Sequence, residues 1–127
     1  MKNTKKRILL FCLLLTVTLF AKWSSAQCYI SDYNSYKKVL KIDGDYVLDY
    51  SSYKKLYKFD GEYILSYNSY KKLLKFDGNY IIRYADYKKI AKLDGGFLID
   101  YRTNKKIAQL NCPSRRSALA AAAYFLN

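Results

Sequence analysis

The chain contains no histidine, one proline, one methionine and one tryptophan, and only 10 acidic residues against 23 basic ones in 127. Without histidine the commonest general base and metal ligand is missing, and neither a Ser/His/Asp nor a Cys/His constellation can be assembled. No carboxylate pair, and no nucleophile with a base beside it, recurs outside turn positions. The sequence therefore predicts a protein that is not an enzyme and that uses no cofactor or metal. Cysteine is scarce as well: Cys12, Cys28 and Cys112 are the only three.

The first 26 residues have the pattern of an export signal: a basic start (Lys2, Lys5, Lys6, Arg7), an apolar run from Ile8 to Ala21, then Ser24-Ser25-Ala26 before Gln27. That run is shorter than the roughly 20 residues a spanning helix needs, which argues against a retained anchor. Lipid attachment at Cys28 is disfavoured because Gln27, directly before it, is not small. The expected organisation is a signal peptide over 1–26, a repeat domain over 27–112 and an apolar helix over 113–127, exported to the periplasm, the cell surface or the medium.

Cleavage after Ala26 removes Cys12, Trp23 and five of the 23 basic residues but no acid, so 18 basic residues face 10 acids for a net charge of +8. The two remaining cysteines lie at opposite ends of the repeat region, and an exported chain is expected to join them.

What is abundant is tyrosine, fifteen residues in all, placed periodically. Units opening at Tyr33, Tyr50, Tyr67, Tyr84 and Tyr101 repeat every seventeen residues, the signature of stacked or radially arranged supersecondary units. A half unit, Cys28 to Asp32, precedes the first. Each unit carries an Asp-Gly turn (Asp43-Gly44, Asp60-Gly61, Asp77-Gly78, Asp94-Gly95) and a small polar turn such as Ser51-Ser52 or Asn68-Ser69. The Tyr-, Ile-, Leu- and Phe-rich runs between them have strand length.

Seventeen is odd, whereas side chains alternate faces with period two. Near-identical repeats keep their faces only if each unit holds one extra residue. A three-residue Asp-Gly loop with glycine in the left-handed position would supply it. That register places Tyr53, Lys55, Tyr57, Tyr63, Leu65 and Tyr67 on a packed interior face. Lys54, Leu56, Lys58, Glu62, Ile64 and Ser66 then fall on a solvated face, with Asp49–Lys54 and Asp45–Lys58 as cross-strand charge pairs.

Ten strands in a meander leave two edges unless the sheet closes. Cys112 falls one place before the position five periods beyond Cys28, so the pair would meet across the seam of a ring. The predicted fold is all-β: a closed antiparallel meander barrel of about ten short strands, plus a short C-terminal helix. That helix follows Pro113-Ser114, is apolar nearly all round, and is better suited to plugging the barrel than to touching a membrane.

The motifs Ile82-Arg83-Tyr84, Lys88 to Gly95 (KKIAKLDG) and Phe97 to Tyr101 (FLIDY) resemble the four-fold beta-flower proteins, small bacterial shallow barrels of hairpin petals. The resemblance runs from Cys28 to about Leu110. It implies no defined activity and a shape similar to tubby-like barrels, which are associated with lipid binding. The chain departs from the family in offering about five hairpins where four are implied.

Two sets of cations stand out. Arg83, expected opposite Lys88, and Lys92, expected opposite Asn79, have no acid between them and form the candidate anion site, with Lys71 and Lys75 nearby and partly relieved by Glu62. Lys38, Lys55, Lys72, Lys89 and Lys106 are expected on the tyrosine face as a ring around a shallow cavity. The function expected is a binding or structural module for an anionic lipid or polyanion, with no specific nucleic-acid motif. The alternative is a carbohydrate- or wall-binding repeat that uses exposed tyrosine.

Overall fold

The computed structural model of the protein describes residues 27–127; the expected export signal, 1–26, lies outside the described residues. Ten strands run β1 (Cys28–Asp32), β2 (Lys38–Asp43), β3 (Tyr46–Asp49), β4 (Lys55–Asp60), β5 (Tyr63–Ser66), β6 (Lys72–Asp77), β7 (Tyr80–Arg83), β8 (Lys89–Asp94), β9 (Phe97–Asp100) and β10 (Lys106–Leu110), followed by one helix, α1 (Arg115–Leu126). Each strand pairs with its sequence neighbours, and β1 pairs with β10, so the meander closes into a barrel. Five hairpins make up the ring.

The odd residue of the seventeen is not in the Asp-Gly loop. Asp60 pairs with Tyr63, which leaves a two-residue loop, Gly61-Glu62, with glycine first at φ 59°, as a tight hairpin turn of the II′ kind asks. The polar loop is also even: Asp49 N–H donates to the Lys54 carbonyl, enclosing the four residues 50–53. The extra residue is a bulge inside each long strand. Val47 faces Tyr57 but Leu48 faces Lys55, so Leu56 has no partner of its own. The same shift isolates Val39, Leu73, Ile90 and Ile107. Each bulge carbonyl accepts from the tyrosine N–H that opens a turn, including Tyr33 N–H to Ile107 across the seam.

This moves the faces. The interior carries Ile30, Leu40, Val47, Phe59, Ile64, Leu74, Ile81 and Leu98, with Tyr57 among its partly buried members. Tyr63, Leu65 and Tyr67, expected inside with Tyr57, point outward. Leu48 and Leu65 are buried all the same, on the outside, because each is flanked by two lysines, Lys41 and Lys55 for the one, Lys58 and Lys72 for the other. Lysine stems cover apolar surface while their ammonium groups stay in water.

About eight strands make a barrel whose lumen side chains alone can fill. Ten leave a gap, and α1 occupies it. Ser117 to Ala123 are buried on every side of the helix, and its neighbours include strands all round the ring. Alanine keeps the rod thin enough to fit. Ser114 is its N-cap in a reciprocal capping box with Ser117, and Ser117 Oγ also donates to the Cys112 carbonyl at 3.0 Å. At the far end the Tyr57 hydroxyl donates to the Ala123 carbonyl at 3.2 Å, and burial pushes its pKa above the ordinary tyrosine value.

Candidate functional site

All Asp-Gly turns lie at one end of the barrel and all polar turns at the other. The helix enters from the first, where Arg116 donates to the Gly44 carbonyl at 2.8 Å and pairs with Asp45 at 3.0 Å. Asp45 is thus tied to the plug and not to Lys58, as the expected cross-strand pairing had it. The helix ends at the polar-turn mouth.

At that mouth each loop ends on a residue in the left-handed region: Tyr36, Tyr53, Tyr70, Tyr87 and Asn104, with φ between 56° and 60°. Asparagine is at home there; a bulky side chain is an outlier. The four tyrosine rings are nevertheless exposed, at 71, 61, 58 and 65%, so burial does not offset the backbone cost. Sequence reasoning missed this crown. Its signal was the fifth copy, where Asn104 stands in a column of tyrosines.

All but the loop after Ser66 are fastened by acids of their own. Asp32 accepts from the N–H groups of Asn34 and Ser35, Asp49 from Ser52 N–H and from the hydroxyls of Ser51 and Ser52, and Asp100 from Arg102 and Thr103 N–H. The hydrogen bond from the Ser52 hydroxyl, foremost, holds the Asp49 carboxyl below its ordinary range. Asp49 makes no side-chain ion pair with Lys54; only their backbones pair.

The expected ring of Lys38, Lys55, Lys72, Lys89 and Lys106 exists, but it encircles the outside of the barrel. Their partners Ser31, Leu48, Leu65, Ile82 and Ile99 all face outward. Each ammonium lies 4.1–4.4 Å from an aromatic centroid: Tyr29, Tyr46, Tyr63, Tyr80 and Phe97 respectively. The same five rings make edge-to-face pairs, at 5.5–5.9 Å, with Tyr50, Tyr67, Tyr84, Tyr101 and Tyr33. These lysines are engaged as cations over rings on the outer wall.

The expected anion cluster divides. Arg83 faces Lys88 across the loop, with Arg83 N–H donating to the Lys88 carbonyl, but Arg83 also has an acid at 3.1 Å, Asp86 of its own turn. Although desolvation opposes it, the Lys88 N–H and the Arg83 guanidinium keep the Asp86 carboxyl below its ordinary range. Lys92 faces Tyr80 and not Asn79, and it lies on the outer wall. Lys75 is also on the outer wall, 4.0 Å from Glu62, while Lys71 is exposed in its loop. Only Arg83 and Lys88 stay together, and they share a cavity of about 370 Å³ at the mouth with Lys89, Ile90, Asp100, Arg102 and Leu126.

Among the described residues no group of His, Cys, Asp or Glu is placed to hold a metal ion, and no helix is long and apolar enough to cross a membrane. No family model, no curated protein and no solved structure matches the chain.

Proposed function

We propose that the protein is an exported, non-enzymatic module that docks on an anionic surface through the polar-turn mouth of its barrel. The supporting observation is the crown: four exposed tyrosines held at positive φ, each followed directly by a lysine (Lys37, Lys54, Lys71, Lys88). Strain of this kind costs about 1 to 3 kcal/mol per residue and persists at sites that use it. Tyrosine presents an apolar body with a polar tip, suited to a boundary between water and a less polar phase. The resemblance to beta-flower barrels, and through them to shapes associated with lipid binding, points the same way.

The test is sedimentation with phosphatidylglycerol and with phosphatidylcholine vesicles at two salt concentrations, comparing the parent with a variant carrying asparagine at 36, 53, 70 and 87. Asparagine already occupies this position in the fifth turn, so the fold is expected to survive. Binding should favour the anionic vesicles, weaken between about 0.1 and 1 M salt as the Debye length falls from about 10 to about 3 Å, and be lost in the variant. Undiminished binding by the variant would overturn the crown reading. Tyrosine exposure above one half at four positions also suits sugar stacking; salt-insensitive retention on insoluble glycan with no vesicle binding would install that reading instead.

A further inference from the structure

The repeat provides its own control for identifying departures. The position of Arg83 holds Asp32, Asp49, Ser66 and Asp100 in the other units, and the position of Arg102 holds Asn34, Ser51, Asn68 and Ala85. An arginine occurs once in each column. Both arginines line the same half-open cavity of about 370 Å³, and its apolar lining comes from the bulge residue Ile90 and from Leu126 of the helix end.

We infer that this cavity is a binding site for a small organic anion carrying a phosphate or carboxylate head on a short apolar body. Arginine presents a planar fork of donors that matches both head groups. Asp86, beside the cavity, is paired with Arg83, and Asp100, which itself lines the cavity, has its carboxylate engaged by two N–H groups of its own loop. The ammonium of Lys89 is stacked on Tyr80 at 4.1 Å, so Lys89 contributes its stem to the wall. Arg83, Arg102 and Lys88 therefore supply the positive rim. The carbonyl end of α1 offsets part of that charge and sets an upper bound on how firmly a bare anion is held; the apolar lining adds what the head group lacks. The inference goes beyond surface docking, because it needs a half-open pocket with apolar side chains in its wall and not a charged plane.

The disulfide-bonded protein would be titrated with hexyl phosphate, hexanoate, inorganic phosphate and hexyltrimethylammonium while its backbone amides are followed by NMR. Hexyl phosphate and hexanoate should give saturable shifts confined to Arg83, Lys88, Ile90, Arg102 and Leu126. Inorganic phosphate should bind about tenfold more weakly, and the cation not at all. R83S and R102N, which install residues found in sister turns, should each weaken hexyl phosphate by about tenfold to a hundredfold, the loss of one charge-assisted hydrogen bond. L126S should weaken hexyl phosphate while leaving inorganic phosphate unchanged.

Shifts spread equally over all five polar turns, or R83S and R102N both binding like the parent, would overturn the site. Displacement of hexyl phosphate by phosphatidic acid vesicles would identify the source of the head group as a lipid. Failure of the vesicles to displace it would identify a free solute. The four-asparagine variant separates the two proposals: loss of vesicle docking with hexyl phosphate still bound supports both, whereas undiminished docking with hexyl phosphate still bound supports the cavity alone.

Discussion

Cys112 and Cys28 occupy the two turn positions that Gly61 and Glu62 occupy in the β4–β5 hairpin. Leu110 pairs with Ile30 as Phe59 pairs with Ile64, and Asn111 and Tyr29 exchange hydrogen bonds where Asp60 and Tyr63 pair. The next residue on each side is cysteine, bridged with Cα atoms 5.5 Å apart. The fifth hairpin is thus closed by a disulfide in place of a peptide turn, which frees the chain after Cys112 to enter the lumen as α1.

Replacing both cysteines with serine should lower stability by about 4 kcal/mol on the chain-entropy estimate for so long a loop. Hydrogen exchange should quicken first at β1 and β10, where the seam opens. Equal melting midpoints for parent and variant, or uniform loss of protection around the ring, would contradict a seam held by the bridge.

Tyr53→Asn should raise stability by a few tenths to about 1 kcal/mol, since the ring is exposed and asparagine tolerates the left-handed region at far lower cost. Thermal melts of this variant and of Asn104→Tyr check it, the second expected to move in the opposite direction.

Leu119→Ala should cost about 2 to 5 kcal/mol, because Leu119 is fully buried in a rod that fills the lumen and the rigid wall cannot collapse around the cavity. Chemical denaturation measures the loss. A change below 1 kcal/mol would mean that the barrel stands without its plug.

The folded-state pKa of Asp49 is depressed below its ordinary value of 3.8, so the unfolded chain takes up the proton first. The contribution is complete above that ordinary value and is lost as pH falls through the folded one. Melting midpoints followed downward from pH 5 should decline less steeply in Asp49→Asn than in the parent. Parallel declines would show that the Ser51 and Ser52 hydrogen bonds do not discriminate the charged form.

Much of the fold was legible in the chain. The Asp-Gly turns, the strand lengths and the meander order follow from local chemistry, and the glycines have the positive φ expected of them. Closure and the Cys28–Cys112 bridge follow from counting in periods of seventeen. A helix opening at Pro113 or Ser114, apolar nearly all round and so suited to burial, could also be read directly, and Ser114 is its N-cap. The Arg83–Asp86 pair is local as well, three residues apart in one turn.

Parity shows that each repeat must contain one odd residue, but not where it lies. A loop of three and a bulged strand satisfy the count equally, and the two assign opposite faces to Tyr63, Ile64 and Leu65. Both faces are apolar enough to be a core, since lysine stems and tyrosine rings bury Leu48 and Leu65 on the outside as effectively as α1 buries Ile64 within. Local propensity cannot break that tie. The sequence by itself determined a closed ring of about ten hairpin-linked strands sealed by a disulfide. Only the tertiary structure decided which side is the inside, because that depends on fitting an alanine helix against Ile, Leu and Phe in a ten-strand lumen. The same packing sends the lysine ring outward and gathers Arg83 and Arg102 at one mouth.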